Sequence, residues 1–147
     1  MKTLLKTVTT SHASYSALSL RIPIGIIFMA HGAQKLFAWF GGYGLEGTAG
    51  WMESIGLAPG FLMAVLAGSG EFFGGLFILL GLLTRPAAAV LAITMIVAIF
   101  SVHFSNGLFM SNNGYEFALA LFAASVSVAI SGSGKLAVDN YLAKKLA

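Results

Sequence analysis

The sequence contains no cysteine and very little charge. The absence of Cys among 147 residues excludes structural disulfides, thiolate catalysis and zinc or iron–sulfur centres held by cysteine. Charged residues make up 9% of the chain and apolar residues 58%, whereas soluble domains average about 25% and roughly 45–50%. A water-soluble fold of this size could not cover its surface with so few charges. We therefore expect lipid to be the solvent for most of the chain.

The sequence also lacks a run of basic residues. Eight Lys and Arg stand against five Asp and Glu, and they are scattered, without the interleaved aromatic residues typical of a nucleic-acid surface. No nucleophile elbow, phosphate-binding loop or dinucleotide fingerprint occurs. Nucleic-acid binding and these familiar enzyme classes are therefore excluded, and the basic residues are better interpreted as markers of membrane topology.

Four apolar stretches are long enough to cross a membrane. A hydrocarbon core about 30 Å thick requires about 20 apolar residues in helical form. The sequence provides such stretches at about 17–40, 59–83, 86–104 and 115–130. We therefore predict an all-α fold, a single domain over residues 1–147 built as a bundle of four transmembrane helices.

Three prolines lie near the predicted helix starts. Pro86 is expected in the first turn of the third span, where proline is tolerated, and Pro59 in the same role for the second. Pro23 marks either the true start of the first helix or a slight kink within it.

Lys and Arg are distributed unevenly between the two sides of the predicted bundle. The loops 41–58 and 105–114 contain neither residue. The other side carries Lys2, Lys6, Arg85, Lys135, Lys144 and Lys145. Because cytoplasmic loops carry an excess of Lys and Arg, both termini are predicted to lie inside. The polar stretch 7–14 and the absence of a small-residue cleavage site argue for a retained first span rather than a removed signal peptide.

Two segments outside the spans have predicted roles. The long outer loop, 41–58, is rich in glycine and apolar residues and is predicted to form a re-entrant or interfacial lid. The C-terminal stretch 136–146 is predicted to form a short amphipathic helix on the inner surface, with a frayed polar tail as the alternative. Gly70 and Gly74 have the spacing of small residues at helix contacts in lipid and predict close packing of the second span.

Every predicted span carries an ionisable residue. Such side chains are costly in lipid and usually face a partner or a cavity. At about 1.5 Å per residue, five of them fall in one layer between the midplane and the outer surface. They are His31, Lys35, Glu71, His103 and Glu116. Arg21 and Arg85 fall nearer the inner boundary. We predict that the five line a shared pocket.

Several chemistries would suit such a pocket. Histidine and glutamate can exchange the protons that accompany quinone redox chemistry. His31, His103 and Glu116 would then contact the quinone head group, while Lys35 and Glu71 tune its protonation. Phenylalanines could sandwich the ring: Phe28, Phe37, Phe72, Phe73 and Phe104.

Other interpretations remain open at this point. His31 and His103 could ligate a haem, and His31, Glu71, His103 and Glu116 could bind zinc or iron. Alternatively, Glu71 or Glu116 pairs with Lys35 or Arg21 simply to hold the bundle together. The chain would then be a membrane scaffold or assembly factor without catalysis. A substrate carrier is a weaker interpretation, because four short helices enclose little volume.

Several motifs, in order, resemble those of the DoxX family of small bacterial membrane proteins. The resemblance covers about residues 21–139. It is carried by Arg21 with Gly25, His-Gly-Ala-Gln-Lys-Leu-Phe at 31–37, Glu-Phe-Phe-Gly-Gly at 71–75, Gly-Leu-Leu-Thr-Arg at 81–85, His103, Gly-Tyr-Glu at 114–116, and Gly-Ser-Gly-Lys at 132–135 with Asp139.

The resemblance implies a multi-pass protein of the bacterial inner membrane. The family takes its name from a subunit of a thiosulfate:quinone oxidoreductase, and other members are linked to oxidative-stress complexes, which favours the quinone hypothesis. We predict that Arg21, Arg85 and Asp139 are structural polar residues. The sequence departs from the pattern at Ala137, where serine is expected. Because the chain has no cysteine, any sulfur chemistry would require a partner subunit. Whether the isolated chain is catalytic, and whether it forms a homo-oligomer, stays open.

Overall fold

The computed structural model describes residues 15–146, and their regular structure is entirely helical. Lys2, Lys6 and the stretch 7–14, which entered the topology prediction, lie outside the described residues. The helices are α1 (Ser16–Phe37), α2 (Gly44–Ser54), α3 (Gly60–Leu80), α4 (Thr84–Ala98), α5 (Glu116–Ser131) and α6 (Val138–Leu146). The all-α prediction is therefore confirmed for the described part of the chain.

Three helical stretches are long and apolar enough to cross a membrane. They are Ser16–Phe37, Gly60–Leu80 and Thr84–Asn106. The third is longer than α4 because the chain continues through a π-helical turn, Ile99–His103, and a short 3₁₀ turn, Phe104–Asn106. The apolar helix α5 coincides with the predicted fourth span but has only 16 residues.

Pro86 and Pro59 take the predicted places. Pro86 lies in the first turn of α4, and Pro59 immediately precedes α3. Pro23 lies inside α1, which already begins at Ser16. Of the two alternatives for Pro23, the start of the first helix is therefore excluded, and the residue lies within the helix.

The helices α1, α3, α4 and α5 form a closed bundle. Helix α1 packs mainly on α3 and α4 mainly on α5, while α3 also contacts α4 and α1 contacts α5. The core contains Phe28, Ile78, Leu91 and Val128, all 1% exposed or less. Large apolar side chains also cover the outside of the bundle, among them Ile26, Phe61, Leu66, Ile93 and Phe100. An apolar surface of this extent fits contact with lipid.

Glycine sets the distance between α1 and α3. A Cβ on Gly32 would collide with the backbone of Phe72 and Gly68, and a Cβ on Gly25 would lie 2.9 Å from the Gly75 carbonyl oxygen. The two backbones therefore touch, as small residues allow between helices in lipid. Gly70 and Gly74 instead face α4, so α3 presents glycine to both neighbours.

Two segments outside the long helices pack on the bundle. The loop 41–58 contains α2, whose Ala49 and Met52 pack against Ala64 of α3. The C-terminal segment forms α6 rather than a frayed tail. The loop 41–58 thus covers one end of the bundle, and α6 lies at the other end.

Candidate functional site

A cavity of about 820 Å³ lies at the end of the bundle that α2 covers. Residues of α1, α3, α5, the stretch 84–106 and α2 line it. Four of the five predicted pocket residues are among them: His31, Lys35, Glu71 and His103. The structure therefore brings these four side chains to one cavity.

Lys35 and Glu71 form an ion pair across the α1–α3 contact. The distance from Lys35 Nζ to Glu71 Oε2 is 2.6 Å, and Glu71 is 4% exposed. Gly68 lies one turn before Glu71 on α3, and a Cβ there would be 3.3 Å from the Lys35 Cβ. The missing side chain of Gly68 therefore lets α1 come close enough for the lysine to reach the carboxylate.

His31 lies one helical turn before Lys35, on the same face of α1. Its ring faces Phe117 of α5, with 6.3 Å between the ring centroids and an angle of 51° between the planes. Its side chain is exposed and lines the cavity. A molecule in the cavity could therefore reach the imidazole directly.

His103 is positioned by the π-helical turn at the end of the third long helical stretch. Its Nδ1 lies 2.8 Å from the carbonyl oxygen of Asn113. A carbonyl only accepts, so Nδ1 donates this bond. The other ring nitrogen, Nε2, is then the acceptor in the neutral ring. Such π-helical turns recur at functional sites, and nothing in the sequence pattern indicated this one.

Glu116 does not belong to the cavity, contrary to the prediction. Its Oε1 accepts a hydrogen bond from the backbone N–H of Met110 at 2.6 Å, and its own N–H donates to the Leu108 carbonyl. Because Glu116 begins α5, its carboxylate turns back onto the preceding loop instead of into the bundle. It fixes the loop that carries Asn113, the partner of His103.

The aromatic lining also differs from the prediction. Of the five phenylalanines expected around a ring, only Phe28 lines the cavity. Phe37 and Phe73 each pack edge-on against Phe72, and Phe104 stacks on Tyr115. Aromatic side chains from other elements line the cavity instead: Tyr43, Trp51 and Phe117.

Arg21 lies at the opposite end of the bundle and does not reach the cavity. It is 1% exposed. Its Nε donates to the Ile78 carbonyl at 2.9 Å, and its terminal nitrogens donate to the carbonyls of Ser133 and Leu136. One guanidinium thus joins α1 to the end of α3 and to the segment before α6.

Asp139 and Arg85 bond the backbone at the same end. The two carboxylate oxygens of Asp139 accept from the N–H groups of Leu83 and Thr84 at 2.8 and 3.0 Å, capping the start of α4. Its own N–H donates to the Gly81 carbonyl at 2.9 Å. Arg85 donates to carbonyls near the end of α5, at Ala129 and Ile130. These charged side chains therefore form hydrogen bonds with backbone groups at helix ends, which lack partners within the helix.

Two further expectations concern ligands and the closing segment. Across residues 15–146, no three His, Asp or Glu side chains come together as a metal site, so the structure does not assemble the four-ligand metal centre that was one of the alternatives. Ala137, at the position where the resemblance expects serine, packs closely against Gly81.

These observations define a helical membrane protein in which an ion pair with a buried carboxylate and two histidines line one cavity of the bundle. The chain belongs to the DoxX family, whose sequence model matches residues 16–104. It is similar to a Bacillus subtilis protein named "Putative oxidoreductase CatD", with 38% identity over 86% of this chain and 87% of that protein. It is similar to the inner membrane protein YqjF of Escherichia coli, with 34% identity over 85% and 90% of the two chains.

A third relative is also a membrane protein. The uncharacterized membrane protein Rv3486 of Mycobacterium tuberculosis shares 29% identity over 88% of this chain and 83% of its own length. No solved structure matches the chain. The predicted family is therefore confirmed, and the chain is a membrane protein.

Proposed function

We propose that the chain crosses the bacterial inner membrane four times, with both termini in the cytoplasm. The three long helices and apolar α5 would be the spans. Arg85, Lys135, Lys144 and Lys145 all belong to the end of the bundle away from the cavity, whereas the segments at the cavity end, 41–58 and 105–114, have no Lys or Arg. The positive-inside rule then makes the cavity end the outer one.

We further propose that the chain is a quinone-binding subunit of a membrane redox complex. The observation that carries this proposal is the convergence of His31, His103 and the Lys35–Glu71 pair on one cavity. A volume of about 820 Å³ falls within the range of small-molecule sites, roughly 300–1,000 Å³. The predominantly apolar lining, with a few convergent polar groups, is also typical of such sites. A relative named as an oxidoreductase supports the same class.

The polar residues would have two roles. The histidines would contact the quinone, and the Lys35–Glu71 pair would influence its protonation. A bound quinone would supply two-electron, two-proton redox chemistry, with the electrons exchanged through a partner subunit. His31 and His103 come from different helical stretches. His31 would donate to, or accept from, one ring oxygen, and the neutral His103 would accept a proton at Nε2 from a ring hydroxyl. The Lys35–Glu71 pair lines the same cavity and would serve as the acid–base pair that exchanges a proton with an imidazole.

Quinone that copurifies with the protein tests this proposal. The protein is purified in a mild detergent, extracted with organic solvent and assayed for quinone by mass spectrometry. We expect bound quinone in wild type and in the control Glu46→Gln, whose carboxylate is exposed on α2, and its loss in His31→Ala. Undiminished quinone in His31→Ala would locate the molecule elsewhere.

A scaffold or assembly role is the second candidate, and one observation favours it. Lys35 and Glu71 bond each other, while His103 bonds main chain, so these polar groups have partners without a ligand. In that case partner proteins would copurify with the wild type and no quinone would be extracted.

A visible absorption spectrum of the purified protein distinguishes haem from quinone as the molecule in the cavity. His31 and His103 line the same cavity, as axial ligands from two helices would. A Soret band in the purified protein that is lost in both His31→Ala and His103→Ala would replace quinone by haem as the occupant.

A further inference from the structure

A second, smaller depression runs along the outer surface of the seam between α3 and α4. It holds about 270 Å³. Its walls are almost wholly apolar, with Ser69 as the one polar side chain among its lining residues. The walls include Gly70, Phe73 and Phe77 of α3, and Pro86 and Val90 of α4. We call this depression the seam groove.

The seam groove and the cavity are neighbours along the seam between α3 and α4. Gly70 lines the groove, while the next residue, Glu71, lines the cavity. Across the seam, Val90 lines the groove and Thr94, one turn further, lines the cavity. A Cβ on Gly70 would lie 3.5 Å from Val90 Cγ1 and 3.6 Å from Thr94 Oγ1. Gly70 therefore lies between residues that line the two spaces, and we call this place the junction.

The junction is open to the surface of the bundle. Gly70 and Thr94 are half-buried, and Val90 is 46% exposed. From Gly70 to Phe77 the groove follows seven residues of helix, which is about 10 Å at 1.5 Å per residue. A thin apolar chain that crosses the surface at Gly70 would therefore lie in the groove within the hydrocarbon layer.

We propose that the ligand of this protein is an amphiphile held in two parts, with its polar ring in the cavity and its flexible apolar tail in the seam groove. The inference deepens the proposed function: the quinone would be one with an isoprenoid or alkyl tail, entering from the bilayer, rather than a water-soluble quinone. The groove provides packing contacts, which drive association inside lipid. A docked tail also raises the effective concentration of the ring at His31.

Affinities of two analogues, with and without a tail, test this inference. Dissociation constants are measured on protein in detergent for a dimethoxy-methyl-benzoquinone without a tail and for the same ring with a decyl chain. Gly70→Leu fills the junction; its Cβ meets only ordinary contacts, so the variant should fold. Ala89→Leu is the matched control, an exposed position on α4 that lines neither space.

We expect the decyl analogue to bind wild type and Ala89→Leu about tenfold more tightly than the tail-free ring, because the tail tethers the ring. Gly70→Leu should remove this advantage, so that both analogues bind the variant with similar affinity. An advantage of the same size in Gly70→Leu would reflect partition into detergent and overturn the inference. Equal affinities of both analogues in wild type would also overturn it, while leaving the proposed function intact. Failure of both analogues to bind would reject the proposed function itself.

Discussion

Lys35 on α1 and Glu71 on α3 are joined by a 2.6 Å ion pair that links the two most closely packed helices of the bundle. The pair closes one wall of the cavity, so it serves packing and the candidate site at once. Its carboxylate is nearly inaccessible, at 4% exposure. Burial of this kind makes each partner depend on the other.

Removing the lysine alone should be more harmful than removing both charges. Lys35→Met leaves the Glu71 carboxylate buried without its cation, which typically costs about 3–5 kcal/mol. The double variant Lys35→Met with Glu71→Gln should recover part of that loss. Thermal unfolding in detergent, with Glu46→Gln as the control, measures the difference. If the losses of stability in the single variants Lys35→Met and Glu71→Gln simply added up in the double variant, the pair would not be coupled.

The glycine contact between α1 and α3 should not tolerate a methyl group. A Cβ on Gly32 would meet the backbone of Phe72 and Gly68, so Gly32→Ala must push the helices apart and separate Lys35 from Glu71. Gly50→Ala is the matched control, because a Cβ there meets nothing within 4 Å. We expect a marked fall in melting temperature for Gly32→Ala only; an unchanged value would mean that the helices have room to move.

Loss of the Asp139 carboxylate should loosen the end of the bundle opposite the cavity. Asp139→Ala leaves the N–H groups of Leu83 and Thr84 without their acceptors, and loss of a helix cap typically costs about 0.5–2 kcal/mol. Proteolysis of the C-terminal segment should accelerate, while quinone binding at the distant cavity persists. The exposed Lys144→Ala serves as the control. Unchanged proteolysis would show that other contacts anchor α6.

The absence of native cysteine makes the proposed topology directly testable. Single cysteines are introduced at Ser54, Asn112 and Lys144, all exposed. With an impermeant maleimide applied to intact spheroplasts, Ser54→Cys and Asn112→Cys should be labelled and Lys144→Cys only after lysis. The opposite pattern would invert the bundle in the membrane, and labelling of Asn112→Cys from the opposite side to Ser54→Cys would reject four spans.

The sequence predicted the helices well because long apolar runs have few alternatives in lipid. It left several pairings open, of Glu71 or Glu116 with Lys35 or Arg21. The observed pair of Lys35 with Glu71 required the α1–α3 separation that Gly32 and Gly68 set. That separation is a property of two packed helices. The sequence of one helix alone does not determine the separation.

The predicted cavity lining differs from the observed lining for physical reasons. Phe37, Phe72 and Phe73 were assigned to the cavity because lipid-facing and core-facing sides of a membrane helix are both apolar. Trp51 was missed because only the folded loop brings α2 over the cavity. Glu116 was misplaced because its carboxylate bonds the Met110 N–H, a local partner that a depth estimate does not reveal.

Fluorescence of Trp51 tests the central claim most directly. The chain has two tryptophans, and Trp51 lines the cavity while Trp39 does not, so Trp39→Phe leaves one reporter at the site. Titration of this variant with the tail-free quinone should give saturable quenching, and adding His31→Ala should abolish saturation. Quenching that is linear with concentration, or saturation that persists unchanged without His31, would contradict a quinone site built on this cavity.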